Sequence, residues 1–98
     1  MSPTSVTVNG AARLRTAIDT TRQLLTELPF DACDMSDLEE MLAWAERELA
    51  KPLPNTSTLA LPLNSVARSL AAEPQARGAT LTLDAAMREA GITTTWEH

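Results

Sequence analysis

Few side chains in this sequence are placed to do chemistry. The single histidine, His98, is the last residue, where a chain is loosely held, so a Ser/His/Asp or Cys/His arrangement would rest on an unanchored base. Cys33, the only cysteine, lies between Asp31 and Asp34, and two flanking carboxylates oppose the thiolate that a nucleophile needs. Its expected role is that of a small, half-buried side chain in a helix connection. One thiol makes no intramolecular disulfide and offers no CxxC spacing for zinc, which fits a reducing, cytoplasmic setting. Asp31, Asp34 and Asp37 recur every three residues, with Glu39 and Glu40 following. A calcium loop needs oxygen ligands at alternate positions and a glycine to turn on, so the acids are read as helix-capping groups that favour a positive helix end. The only glycines, Gly10, Gly78 and Gly91, are too scattered for a phosphate-cradling loop. The expectation is a protein that is not an enzyme and has no metal or cofactor.

Binding chemistry is better represented. On a 100° helical wheel Leu38, Met41, Leu42, Ala45 and Leu49 share one side, whereas Trp44 falls on the flank with Asp37, Glu40 and Glu48. A tryptophan ringed by carboxylates has the make-up of an interface anchor with a charged rim, suited to a basic groove on another protein. The structural alternative is a second core in which residues 59–63 or the C-terminal helix cover the indole. Trp96 poses the same choice between an exposed, partner-facing indole and one folded back on the domain. The candidate contact residues are therefore Asp37, Glu40, Trp44, Glu48 and Trp96.

These residues must be positioned by a small scaffold. The 98 residues carry eight Lys and Arg against thirteen Asp and Glu, a net charge of −5, which opposes binding to a polyphosphate backbone. Hydrophobic residues make up 44% and aromatics 3%, so the core must be built mainly from aliphatic side chains, the palette of helix packing. The length suits one domain, residues 10–98, behind an N-terminal tail, residues 1–9. The start lacks a positive n-region followed by an apolar stretch, and no run of 18 apolar residues occurs, so neither secretion nor membrane spanning is expected.

Leu14, Ile18, Thr21, Leu25 and Leu28 recur at three- and four-residue spacing, predicting a helix over 10–28 stopped by Pro29. Ser36 to Glu39 matches a capping box and predicts a second helix over 36–51, closed by Pro52 and Pro54. The short connection implies an antiparallel hairpin, with Arg13, Arg15 and Arg22 on the first helix facing the acidic second one. Residues 52–63 have the composition of a linker crossing the hairpin. Asn64 is expected to cap a shorter helix over 65–72, Gly78 to mark a turn, and Gly91 to stop a fourth helix over 83–90. The expected fold is mainly α, an antiparallel helical hairpin with two shorter helices packed across it. The pairs Val6/Val8, Leu59/Leu61 and Leu81/Leu83 keep open an α+β alternative with a small sheet.

Residues 83–92, Leu-Asp-Ala-Ala-Met-Arg-Glu-Ala-Gly-Ile, resemble the first helix and turn of a helix-turn-helix motif. Only six residues follow, too few and too poor in base for a reading helix. The expected function is accordingly that of a small acidic, cytoplasmic protein-binding protein, an adaptor or inhibitor that meets a basic surface. Such a surface could belong to a nucleic-acid-binding target, in the manner of small phage or mobile-element proteins that block defence nucleases. The alternatives are a small DNA-binding regulator and a helical subunit that forms a homodimer or a larger assembly.

Overall fold

The structure is a computed structural model and describes residues 6–96. Four α-helices follow one another: α1 (Val8–Leu25), α2 (Ala32–Leu49), α3 (Thr56–Ala71) and α4 (Arg77–Glu89), with a 3-10 turn, Pro74–Ala76, before the last. No strand occurs among the described residues, so the mainly α reading holds and the small sheet does not form there. Residues 1–5 of the expected tail, and His98, lie outside the described residues.

The arrangement differs from a hairpin crossed by two short helices. The most extensive packing joins α1 to α4 and α2 to α3, and α1 meets α2 less closely. The helices alternate in direction. Near the start of α1, the Val6 N–H donates to the Pro54 carbonyl at 2.9 Å, the Arg15 guanidinium to the Leu49 carbonyl at 2.8 Å, and Arg13 pairs with Glu89 at 3.2 Å. The start of α1 thus lies with the ends of α2 and α4 and the start of α3, as short connections require of successive helices. Gly10 permits this closeness, because a Cβ there would stand 3.0 Å from the Cα of Ala90.

The fully buried large side chains are aliphatic almost throughout: Leu14, Ile18 and Leu25 from α1, Leu42 and Leu49 from α2, Leu59, Leu63, Val66 and Leu70 from α3, Leu83 and Met87 from α4. Two caps differ from expectation. α2 begins four residues before Ser36, because the Asp31 carboxylate accepts the Asp34 N–H at 2.8 Å and satisfies a first-turn donor earlier in the chain. Cys33 therefore sits exposed in the first turn of α2, not half-buried in a connection. Likewise α3 is capped by Asn55, whose side chain accepts the Thr58 N–H at 3.1 Å, and not by Asn64.

Most of the expected linker is in fact the first half of α3, with Pro62 inside the helix. Proline forgoes the bond to the carbonyl four residues earlier and crowds the preceding residue. Burial of Leu59, Pro62, Leu63, Val66, Ala67 and Leu70 along one side of α3 outweighs that cost, each fully buried aliphatic side chain contributing about 1.5–3 kcal/mol. Gly78 lies within α4, not in a turn.

Gly91 behaves as its sequence position predicts. With φ at 82° it turns the chain out of α4, while its N–H reaches the Arg88 carbonyl at 3.1 Å and the Ile92 N–H the Met87 carbonyl at 2.9 Å, the paired bonds of a Schellman stop. Residues 92–95 then run irregularly beside α3, so no second helix of a helix-turn-helix follows among the described residues. They are held by Asn64, buried within α3. Its amide donates to the Ala60 and Thr93 carbonyls at 2.8 Å each, and its Oδ1 accepts the Thr95 N–H at 2.7 Å.

Replacing Asn64 with Leu keeps a similar volume but removes both bonds to residues 93–95. We expect a loss of about 1–2 kcal/mol in denaturant unfolding and a shift of Trp96 emission to longer wavelength, whereas unchanged Trp96 emission would show that the segment is held by other contacts.

Candidate functional site

The five candidate contact residues separate into three groups. Asp37 and Glu40 are exposed on α2, and Trp44 is half-buried one turn further along the same flank. Trp44 is not among the side chains packed on the aliphatic core; those include Phe30, Met35, Met41 and Trp96. Of residues 59–63, Leu59 and Leu63 are buried in the main core, and none lines the hollow at Trp44. Trp44 instead shares a shallow hollow of about 340 Å³ with Glu40, Met41, Ala43 and Arg47.

Glu48 does not belong to this surface. It is only 5% exposed, and its carboxylate accepts the Asn55 N–H at 2.8 Å and pairs with Lys51 at 2.9 Å. This corrects the expectation of a partner-facing acid. A buried carboxylate is tolerated only when hydrogen-bonded and paired, and both partners come from the chain just after α2. The Asn55 N–H first and Lys51 second hold the Glu48 carboxyl below its ordinary value, against the opposing effect of burial.

Trp96 folds back on the domain. Its indole N–H donates to Asp84 at 2.9 Å, and the other carboxylate oxygen of Asp84 receives the Arg88 Nε at 2.9 Å. The ring borders a separate hollow of about 420 Å³ with Glu73, Pro74, Arg77 and Leu81.

The principal groove lies between the first half of α2 and the second half of α3, with a volume of about 650 Å³. Phe30, Leu38 and Met41 supply apolar lining, Ser65 and Ser69 form the α3 side, and Asp34, Asp37 and Glu73 supply charge. Met41 borders both this groove and the Trp44 hollow, so the two depressions adjoin at that side chain, as the groove and the Trp96 hollow adjoin at Ala72 and Glu73. Leu61, 66% exposed, stands one turn before Ser65 on α3, towards the Trp44 end. None of Asp34, Asp37, Glu40 or Glu73 enters an ion pair among the described residues, whereas Glu46, Glu48, Asp84 and Glu89 all do.

A hollow of about 500 Å³ between α1 and α4 has a different character. Its lining is mostly Ala and Thr, and its charged residues, Arg13 and Glu89, satisfy each other. It is the seam where small side chains bring two helices together. Elsewhere, no three Asp, Glu, His or Cys side chains converge as metal ligands among the described residues, and no described helix is long and apolar enough to cross a membrane.

The chain matches no family model, no curated protein and no solved structure.

The geometry thus sets Asp37 on the groove and Glu40 with Trp44 in the adjoining hollow, removes Glu48 to the interior and sets Trp96 in a third hollow. Sequence reasoning missed Phe30, Met41, Ser65, Ser69 and Glu73. Ser65, Ser69 and Ala72 follow helical spacing, a signal usable only once α3 is seen to run through Pro62.

The position of Glu48 has a pH consequence. A carboxyl held below its ordinary value of 4.5 adds stability that is fully present above that value and lost as pH falls through the lowered one. The wild type should lose unfolding free energy on acidification below about pH 4.5 more steeply than Glu48→Gln, as measured by denaturant midpoints across pH. Equal slopes would remove Glu48 as the source.

Proposed function

We propose that the protein is a protein-binding adaptor or inhibitor whose contact surface is the acid-rimmed groove of α2 and α3, with Asp37, Glu40 and Trp44 at its exposed edge. The observation that carries this reading is the juxtaposition of an indole outside the core with an adjoining groove of mixed apolar and acidic lining whose carboxylates have no ion-pair partner among the described residues. Asp34, Asp37, Glu40 and Glu73 lie close together around these depressions without an ion-pair partner among the described residues, and together they set up a local negative field at whatever docks there. Such a field speeds encounter with a cationic surface and rejects anionic ones, while desolvating an aromatic anchor supplies much of the affinity.

The target class that fits is a protein with a basic surface. A nucleic-acid-binding protein, including a defence nuclease of the kind phage and mobile elements inhibit, presents such a surface where phosphates would otherwise lie, and carboxylates at helical spacing would compete for it. A cytoplasmic setting is part of the same proposal. For the DNA-regulator alternative, the segment after α4 is irregular among the described residues and bonded to Asn64 of α3, which leaves Arg13, Arg15 and Arg22 as its candidate contacts.

The experiment is affinity capture from host lysate with nuclease-treated controls, comparing wild type with Asp37→Lys, Glu40→Lys and Trp44→Ala, each checked for native helicity. Glu27→Lys, on the connection between α1 and α2, serves as the charge-matched control. Capture of the same protein by wild type and Glu27→Lys, independent of nuclease and reduced at least about tenfold in the groove variants, corresponding to about 1.4 kcal/mol, is the expected result. Equal capture by all variants would contradict the proposal.

A further inference from the structure

The shape and charge of the groove restrict what can lie in it. We infer that its occupant is a single cationic amphipathic helix of a partner protein, laid along α2 and α3 with its apolar stripe on Phe30, Met41 and Trp44 and its cations towards Asp34, Asp37 and Glu40. This rests on the reading that the groove is the contact surface, and goes further in specifying the element that fills it.

Three observations favour a helix. The groove is bounded by two helices, and the furrow between packed helices accepts a third by the same ridge-into-groove interdigitation that packs them. Its α2 wall runs from Asp34 to Met41, about 10 Å of helix axis, which matches about two turns of a docked helix, and the adjoining hollow carries α2 on to Trp44 and Arg47. No strand occurs among the described residues, so an extended peptide has no edge to pair with, whereas a helix satisfies its own backbone groups.

Charge selects the kind of helix and its direction. Asp34, Asp37 and Glu73 line the end near Phe30, Glu40 lies between, and Arg47 stands beyond Trp44. A partner helix with its Lys and Arg concentrated towards the Asp34 end is attracted along that length, while the Arg47 end tolerates an acid. A second copy of this chain is disfavoured, since a two-fold contact through the groove sets the same acids near one another across the axis. The chain also has few cations to offer, because Arg13, Arg22, Lys51 and Arg88 are already in ion pairs.

The test uses the full chain carrying Trp96→Phe, so that Trp44 is the only indole. It is titrated with a synthetic Leu/Lys peptide of about fourteen residues whose leucines recur at helical spacing. Controls are the same composition scrambled, the same peptide interrupted by a central proline, and a Leu/Glu peptide. The expected result is saturable movement of Trp44 emission to shorter wavelength, binding at least tenfold tighter than either Lys control, weakening in salt and in Asp37→Lys, and no response to the Leu/Glu peptide.

Equal binding by the scrambled or proline-broken peptide would overturn the helix inference and leave a purely electrostatic surface. Failure of every peptide, alongside partner capture that remains sensitive to Trp44→Ala, would overturn the inference while the reading of the groove as contact surface stands. Tight binding of the patterned peptide that is unaltered by Asp37→Lys and leaves Trp44 emission unmoved would place the site elsewhere and overturn both. Protein self-association that by itself moves Trp44 emission to shorter wavelength would assign the groove to a second copy.

Discussion

The structure depends on one buried carboxylate. Glu48, in the last turn of α2, reaches forward seven residues to accept the backbone N–H of Asn55, and Asn55 in turn caps α3. The connection between them holds Pro52 and Pro54, neither of which can donate a backbone hydrogen bond, so a side chain supplies what no backbone ladder can. Lys51 balances the charge on its exposed side. This bond sets where α3 begins and therefore which residues of α3 oppose which residues of α2. Because α3 starts there and runs back along α2, Ser65 and Ser69 stand across from Leu38 and Met41, and the furrow between them is the candidate site.

The composition of the core explains why aromatic side chains remain at the surface. Leucine and alanine, with two valines, two isoleucines and one methionine, fill the interior, and four helices built on such side chains approach closely, as where Gly10 meets Ala90. None of Phe30, Trp44 and Trp96 is fully buried. Trp96 hydrogen-bonds Asp84 and helps fasten the C-terminal segment against the domain. Phe30 borders the groove and Trp44 the hollow that adjoins it, so two of the three aromatics flank the surface proposed for a partner. A small domain with an aliphatic core can hold its fold and still leave large, stiff side chains available for recognition.

The periodic apolar positions of α1 and α2, and the glycine stop of α4, were legible because each is a local signal that tertiary packing reinforces. α3 was not, because Pro62 and the alternation of Leu59, Leu61 and Leu63 imitate an extended linker, and only burial of Leu59 and Leu63 against the other helices resolves the ambiguity. Asn64 was read as a cap from its residue type, but burial gives it a longer-range part, holding residues 93–95. The Trp44 flank was visible on the helical wheel together with Asp37 and Glu40. Glu48 was misplaced because it lies only about 20° from Met41 on that wheel, at the margin where a bond to the next connection decides whether a side chain turns in or out. The wall supplied by α3 could not be found until α3 itself was known.

The proposed contact surface makes a positional claim that photo-crosslinking in host cells tests most directly. A photoreactive amino acid placed at Met41, where the groove adjoins the Trp44 hollow, should form a specific adduct with one other protein, and the same amino acid at Ala12, in the α1/α4 seam, should not. Adducts of equal yield from both positions, or none from position 41, would contradict the assignment of the groove as the surface through which this protein acts.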